Sequence, residues 1–582
     1  MRMRARTSAA LAAGAAMLLA LSACGGGTEA EEPTGSGFED CVDNPVDCNS
    51  GDRKDGGELT WALSAGWTNW NANRAEGNSV YQNQVLAGIT PPTGSFLPDG
   101  TWEWSKDLLA EEPKLVSDEP QTMSYKLNPK ATWNDGTPIS IDDFVYHWYA
   151  VSGDSKLCDE NCNPASTSYG GSVESIEEVD GAINVTFKDG VIDPEWMYGV
   201  PISYPAHAAE AEGFDWKNDP KAMGEAAVWF DETTPTWSGG PYLIESAKLG
   251  ESVTLVPNEK WYGEVKPTLD KIHLVVIASQ PDLLKALQNG EIDGAVPASL
   301  DPDVVEDAVS SDGILSSVGP AGSWDHIDVN TTNKWLKDVE LRKAIFTAID
   351  VTDINERTYG QVSKDVENRT NHIFPNGTKY HEDILSESGQ GAGDLEAAKK
   401  ILEEAGYELA DGALTKDGKA VGPLNFRFLE GHTMRETSAT LVQGYLKELG
   451  IDIEIKPVAP DKLSAVLAEG DFDIIQFGWS SSPTFSGAPN QFWHSESPSN
   501  FTKGGNEDID AEIAKVMSTA DIDEAAGYAT AAAKLVVDEA ISLPLVTTVQ
   551  LIVVNEDVVN VRDNWAMSLR SFYNMEAWGF RA

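Results

Sequence analysis

Leu424-Asn425-Phe426-Arg427-Phe428, Glu436 to Leu449 and Ile451-Asp452-Ile453-Glu454-Ile455 read as strand, amphipathic helix and strand, with Gly450 stopping the helix. A helix over Asp461 to Ala468 and a strand over Phe472-Asp473-Ile474-Ile475-Gln476-Phe477 continue the alternation. Strands separated by helices of this length favour a parallel sheet with crossover connections. Ligands of open α/β sheets sit at the carboxyl ends of the strands, which points to Gly478-Trp479-Ser480-Ser481-Ser482. The same grammar occurs upstream. Ile272-His273-Leu274-Val275-Val276 is a continuous apolar strand, Asp282 to Asn289 is helical, Gly290 ends it, and Gly294-Ala295-Val296 resumes as a strand, the spacing of a parallel pair with a crossover.

Towards the N-terminus the pattern changes. The folded part is expected to begin at Glu58, where Leu59-Thr60-Trp61-Ala62-Leu63 reads as a first strand, followed by a polar, aromatic loop with Trp67, Trp70, Asn71 and Asn73. Binding residues concentrate in such loops, so Trp67 and Trp70 are either part of a site or simple core packing. Met123 to Asn128 alternates like a half-buried strand, Asn134-Asp135-Gly136 is a turn, and Asp142 is placed to cap a helix through Phe144-Val145-Tyr146. Ile183 to Phe187 after Asp180-Gly181 suggests a hairpin arm, and antiparallel signals recur at Tyr242-Leu243-Ile244 and Val253 to Val256.

The chain opens with Arg2, Arg4 and Arg6, an apolar run from Ala9 to Leu21, and Leu21-Ser22-Ala23-Cys24. A basic start, a short apolar core and a small-residue cleavage site make a secretory signal, too short to span a bilayer as a helix. The terminal Cys is the pattern of a bacterial lipobox, so residues 1–23 are expected to be removed and Cys24 acylated, which tethers the protein to the outer face of the cell membrane. An ordinary signal with an incidental Cys is the alternative. Residues 24–57 are rich in Gly, Glu, Thr, Ser and Asp and read as a flexible tether.

The chain carries 42 basic against 93 acidic side chains, a formal charge of −51, and the leader supplies three of the bases and none of the acids. So negative a surface repels nucleic acid and anionic lipid, which makes both poor partners; it reads as a solubility device or as the mark of a salty habitat. The remaining cysteines form two close pairs, Cys41 with Cys48 and Cys158 with Cys162. Outside the cell these suggest two local disulfides, although three pairings are possible; a zinc site is the rival, without a histidine near either pair. No catalytic or metal site emerges. The sequence has no Gly-x-Ser-x-Gly elbow and no His-Glu-x-x-His helix, its eight histidines are scattered, and Asn506 to Glu512 lacks the turn glycine of a calcium loop. A non-enzymatic protein without cofactor or metal is expected.

Trp133-Asn134-Asp135-Gly136-Thr137-Pro138-Ile139-Ser140-Ile141-Asp142-Asp143-Phe144 is similar to the "F-H-D-G-T-P-hydrophobic-x-A-x-D-V" signature of the large peptide, dipeptide and nickel type of ABC-importer solute-binding proteins. Gly240-Pro241-Tyr242, Asn258 to Gly263, Leu287 to Asp293, His326 to Asn330, Leu341 to Ile345, Ala348-Ile349-Asp350 and Ala397 to Tyr407 follow in the order that this family shows. The chain resembles that family from Glu58 to the C-terminus.

The resemblance implies an α/β, two-lobed periplasmic-binding-protein-like fold of the cluster C type, with mixed sheets, helices on both faces and an interlobe ligand cleft that closes like a hinge. It implies a discontinuous first-lobe core from 58–90, 237–320 and 546–582, an extra first-lobe domain over 91–236, and a second α/β lobe over 321–545. ABC permease subunits are the implied partners of a monomeric receptor, and no phosphate loop for ATP occurs in this chain. Peptide-binding relatives carry a Trp in the loop matching 478–482 and, three residues later, an Asp that pairs with the peptide ammonium. Here the Trp is Trp479 and the acid position is Ser482, which supplies no negative charge. Trp479, Ser480, Ser481, Ser482, Trp67, Trp70, Trp324, His326 and Asn330 are the candidate ligand-binding residues. Oligopeptides or peptide-like solutes are the expected cargo. Eighteen tryptophans leave oligosaccharide open, and the missing acid leaves open a regulatory role in envelope glycolipid synthesis, as in some actinobacterial lipoproteins of this fold.

Overall fold

Leu59 and Trp61 alternate with the more exposed Glu58 and Thr60 along the first strand, Glu58–Leu63 (β1), and with Ala62 and Leu63 they are almost wholly buried. The computed structural model describes residues 37–582 other than 40, 42, 298, 299, 460 and 461, so Cys24 lies outside the described residues. Nine further strands join β1 in one sheet: Tyr242–Lys248 (β2), Ser252–Pro257 (β3), Lys271–Val276 (β4), Gly294–Ala295 (β5), Ile314–Val329 (β6), Leu424–Leu429 (β7), Ile453–Val458 (β8), Ile474–Ser480 (β9) and Ser542–Asn555 (β10). Their order is β8-β7-β9-β6-β10-β5-β1-β4-β3-β2.

The deciding stretch folds as read. Strand β7 pairs in parallel with β8 and β9, and the helix Thr433–Glu448 ends at Leu449 and Gly450, whose φ of +77° is a conformation open to glycine. The upstream unit differs in one respect. Both β4 and β5 run parallel to β1, which lies between them, so their crossover spans a strand brought in from far away in the sequence.

Strands β6 and β10 are long and antiparallel, with register shifts between Pro320 and Trp324 and between Asp325 and His326. The hydrophobic core divides where these strands bend. One cluster collects buried residues from Phe38 to Leu274 and from Ile552 to Trp578, and a second collects them from Trp324 to Val546. These are the two lobes, and β6 and β10 run from one into the other. A four-stranded antiparallel sheet of Lys114–Asp118, Gln121–Tyr125, Ala182–Phe187 and Val173–Val179 adds to the first lobe.

Two expectations are corrected. The helix Ile141–Val151 is capped by Ser140, whose hydroxyl accepts from the Asp142 N–H while Asp143 accepts from the Ser140 N–H; Asp142 is inside the helix. The reading of residues 24–57 as a flexible tether also fails for its described part. Phe38 and Cys48 are buried in the first lobe, Asn49 donates to the Val561 carbonyl at 2.8 Å, and Arg53 bridges to Arg581. The composition is polar, but its few apolar residues and its hydrogen bonds to the C-terminal segment anchor it. The structure pairs Cys41 with Cys48 and Cys158 with Cys162, with Cα–Cα distances of 5.0 and 6.2 Å.

Candidate ligand-binding cleft

Strand β9 runs out at Ser480, and the chain continues as Ser481 and Ser482 along the mouth of a cavity between the lobes. The cavity measures about 420 Å³, within the range of small-molecule sites. From the first lobe it is lined by the end of β1 (Trp61 to Ser64), by Tyr81 and Gln84, and by the C-terminal segment around Trp565, Ser568, Arg570 and Ser571. Gly322 and Ser323, at the bend of β6, form its floor with Gln550 of β10.

Gly322 joins three pieces of chain. Its carbonyl accepts from the Ser481 N–H at 2.9 Å, and a Cβ at this position would stand 2.8 Å from the Trp565 carbonyl oxygen and 3.7 Å from Nη1 of Arg570. No larger residue fits without moving backbone. The bend of β6 therefore holds the serine loop of one lobe against the C-terminal segment of the other.

Side chains on a strand alternate between faces, and this sorts the candidate residues. Ser323 lies opposite Ser480, both at the cavity, and Asp325 lies opposite Gly478 on the same strand face. Trp324 lies opposite Trp479, and His326 opposite Phe477, on the other face. There Trp479 stacks on Phe492 at 4.6 Å and on Phe501 at 5.6 Å, and Trp324 packs on His326 at 4.6 Å. Trp479, Trp324 and His326 thus form an aromatic layer behind the cleft and do not line the cavity. His326 is fully buried, with Nδ1 2.9 Å from Asp328 Oδ1. Asn330 donates to the carbonyls of Gly470 and Phe472 at 3.0 and 3.2 Å, which fixes a turn. Trp67 and Trp70 pack edge to face at 5.7 Å, 3% and 2% exposed, in the first core. These two follow the core-packing reading.

Ser480, Ser481 and Ser482 do line the cavity. Ser482 shares a 2.6 Å hydrogen bond with the Thr484 hydroxyl. Ser481 is backed by Arg369, whose Nη1 donates to its hydroxyl at 3.3 Å and to Thr547 at 3.2 Å. Arg369 is 1% exposed, lies 4.7 Å over the Trp324 ring and otherwise donates to the carbonyls of Asn371, His372 and Ile373. Burial pulls its guanidinium down to about 9. Asp325, on the strand face of Ser323 but buried away from the cavity, is already engaged: Arg435 grips it through two bonds of 2.7 and 3.0 Å, and Tyr359 donates at 3.3 Å.

Sequence reasoning missed the first-lobe wall of Trp61, Trp565, Arg570 and Ser571. It also missed Glu195, whose carboxylate reaches across the cleft to accept from the N–H groups of Phe485 (2.7 Å) and Ser486 (3.2 Å) and from the Ser486 hydroxyl (2.5 Å). Burial holds the Glu195 carboxyl above its usual range. Among the described residues no group of three His, Cys, Asp or Glu is placed to hold a metal ion, and no helix is long and apolar enough to cross a membrane.

Two lobes joined by crossing strands around a closed-over cavity define a solute-binding protein. Residues 105–503 match the model of the bacterial extracellular solute-binding proteins, family 5, and the chain belongs to that family, whose members bind substrates for ABC importers. The oligopeptide-binding protein OppA of Mycobacterium tuberculosis is 28% identical over 514 residues, covering 87% of this chain and 82% of its own length. Among solved structures, the periplasmic EDTA-binding protein EppA is similar with a TM-score of 0.81 and 31% identity, covering 92% of this chain and 99% of its own. The oligopeptide-binding protein AppA of Bacillus subtilis, in complex with a nonapeptide, shares the fold with a TM-score of 0.66 at 19% identity, over 91% of this chain and all of its own.

Proposed function

We propose that this chain is a lipid-anchored receptor on the outer face of the cell membrane, tethered at Cys24, which captures small peptide or peptide-like solutes and presents them to an ABC permease. The observation that carries this reading is the 420 Å³ cavity between the lobes, walled by the serine loop that ends β9 and by the C-terminal segment of the first lobe. A ligand in that position touches both lobes, so its binding energy favours the closed over the open state. The hinge divides the chain near residue 321 and residue 545, with 58–90, 237–320 and 546–582 as the first-lobe core, 91–236 as its added domain and 321–545 as the second lobe. OppA and AppA, both named for oligopeptides, support a peptide-like cargo, and EppA, named for EDTA, supports a small polycarboxylate.

An oligosaccharide is the second reading, favoured by the half-buried indole of Trp565 in the wall. The test is mass spectrometry of small molecules released when the purified protein is denatured, followed by thermal melting with the compound found. A peptide-like solute that raises Tm progressively, roughly with the logarithm of its concentration, supports the reading. A released saccharide with the same effect replaces it with the second.

A further inference from the structure

In a chain with 93 acidic side chains, the described residues that wall the interlobe cavity include no Asp or Glu and one charged residue, Arg570. The Arg570 side chain is 9% exposed; Asp563 holds its Nη2 from the far side of the wall, and its Nε has no partner among the described residues. Its φ of +54° is rare for a residue other than glycine, and such strain gathers where ligands are clamped. Beside it the Ser571 hydroxyl is fully buried, also without a partner among the described residues. A buried hydroxyl or guanidinium N–H without a partner is costly, so both call for an acceptor.

The facing wall has the same polarity. Ser481 accepts from Arg369, which leaves its own proton to be donated into the cavity. No carboxylate among the described residues offsets Arg369, and Asp325 is consumed by Arg435.

We propose that the cavity is an oxyanion subsite in which a carboxylate of the solute accepts hydrogen bonds from Arg570 and from the hydroxyls of Ser571 and Ser481, with the charge of Arg369 behind Ser481. This rests on the receptor reading and specifies its solute class: a carboxylic acid without need of a free ammonium group. The two lobes contribute one arginine each, so the subsite is complete only when they close.

The test is titration calorimetry on the mature chain, stripped of ligand by unfolding and refolding, against N-acetyl-trialanine, trialanine amide, citrate and EDTA. At least one carboxylate binds, and trialanine amide, which has an ammonium group and no carboxylate, does not. Ser571→Ala weakens the bound acid about tenfold without lowering the Tm of the free protein, since it removes an unsatisfied buried hydroxyl. Arg570→Met alone strands Asp563, so the double variant Arg570→Met/Asp563→Asn is used; it weakens the acid about a hundredfold, while Arg570→Lys keeps part of the affinity. Binding of trialanine amide as tight as that of the acids, or wild-type affinity in the Ser571 and double variants, overturns the subsite and leaves the receptor reading intact. If no compound binds, the peptide-like receptor reading itself fails, and the subsite with it.

Discussion

Ser482, where the resemblance implies an acid in peptide-binding relatives, lies at the cavity mouth with its hydroxyl turned to Thr484. Ser482→Asp should supply the missing counter-ion and strengthen binding of free-amine tripeptides by about tenfold or more in calorimetry, while weakening carboxylates. No change for either class would mean that this position does not face the solute. The serine loop was legible because the end of a parallel strand is where such sheets bind ligands. Trp479, Trp324 and His326 were singled out for their chemistry, but strand alternation turns them to the opposite face from Ser480 and Ser323. Arg570 and Ser571 had no local signal beyond an isolated Arg-Ser pair in an acidic chain. Long-range topology brings them to the cleft, and no periodicity encodes that.

At the scale of elements, the parallel units were legible from helix and strand periods, and the hairpins from their turns. The insertion of β1 between β4 and β5 was not, because a strand can pair in either order with the same local pattern. Helix Ile141–Val151 gives a direct check on its start: Ser140→Ala should cost about 1 kcal/mol in denaturant unfolding, and Asp142→Ala much less. At the hinge, Gly322→Ala sets a Cβ against the Trp565 carbonyl and should cost about 1–3 kcal/mol while weakening ligand affinity. The Glu195 carboxylate joins the lobes across the cleft mouth through three hydrogen bonds. Removing them by Glu195→Ala should speed ligand release in stopped-flow by about tenfold, with little change in the association rate.

For the whole molecule, stability should depend on pH through buried carboxyls. Burial lifts Glu576 from the usual 4.5 to about 7. Its folded value is raised, so its contribution is fully present below about 4.5 and is lost as pH rises through about 7. The side chain keeps some contact with solvent, so Glu576→Gln should leave unfolding free energy unchanged near pH 4 and raise it by about 2 kcal/mol at pH 8. The two-lobed architecture was legible because the family motifs run in order along the chain. The packing of residues 37–57 on the first lobe was not, because buried Phe38 and Cys48 and hydrogen bonds to the C-terminal segment, such as Lys54 N–H to the Phe580 carbonyl and Asn49 to Val561, anchor what composition alone marks as tether. The most direct test is small-angle X-ray scattering of the ligand-stripped chain before and after addition of a solute identified by mass spectrometry. The radius of gyration should fall on binding, and the solute should be recovered unaltered. Superimposable profiles, or a solute recovered as a different compound, would contradict capture by lobe closure.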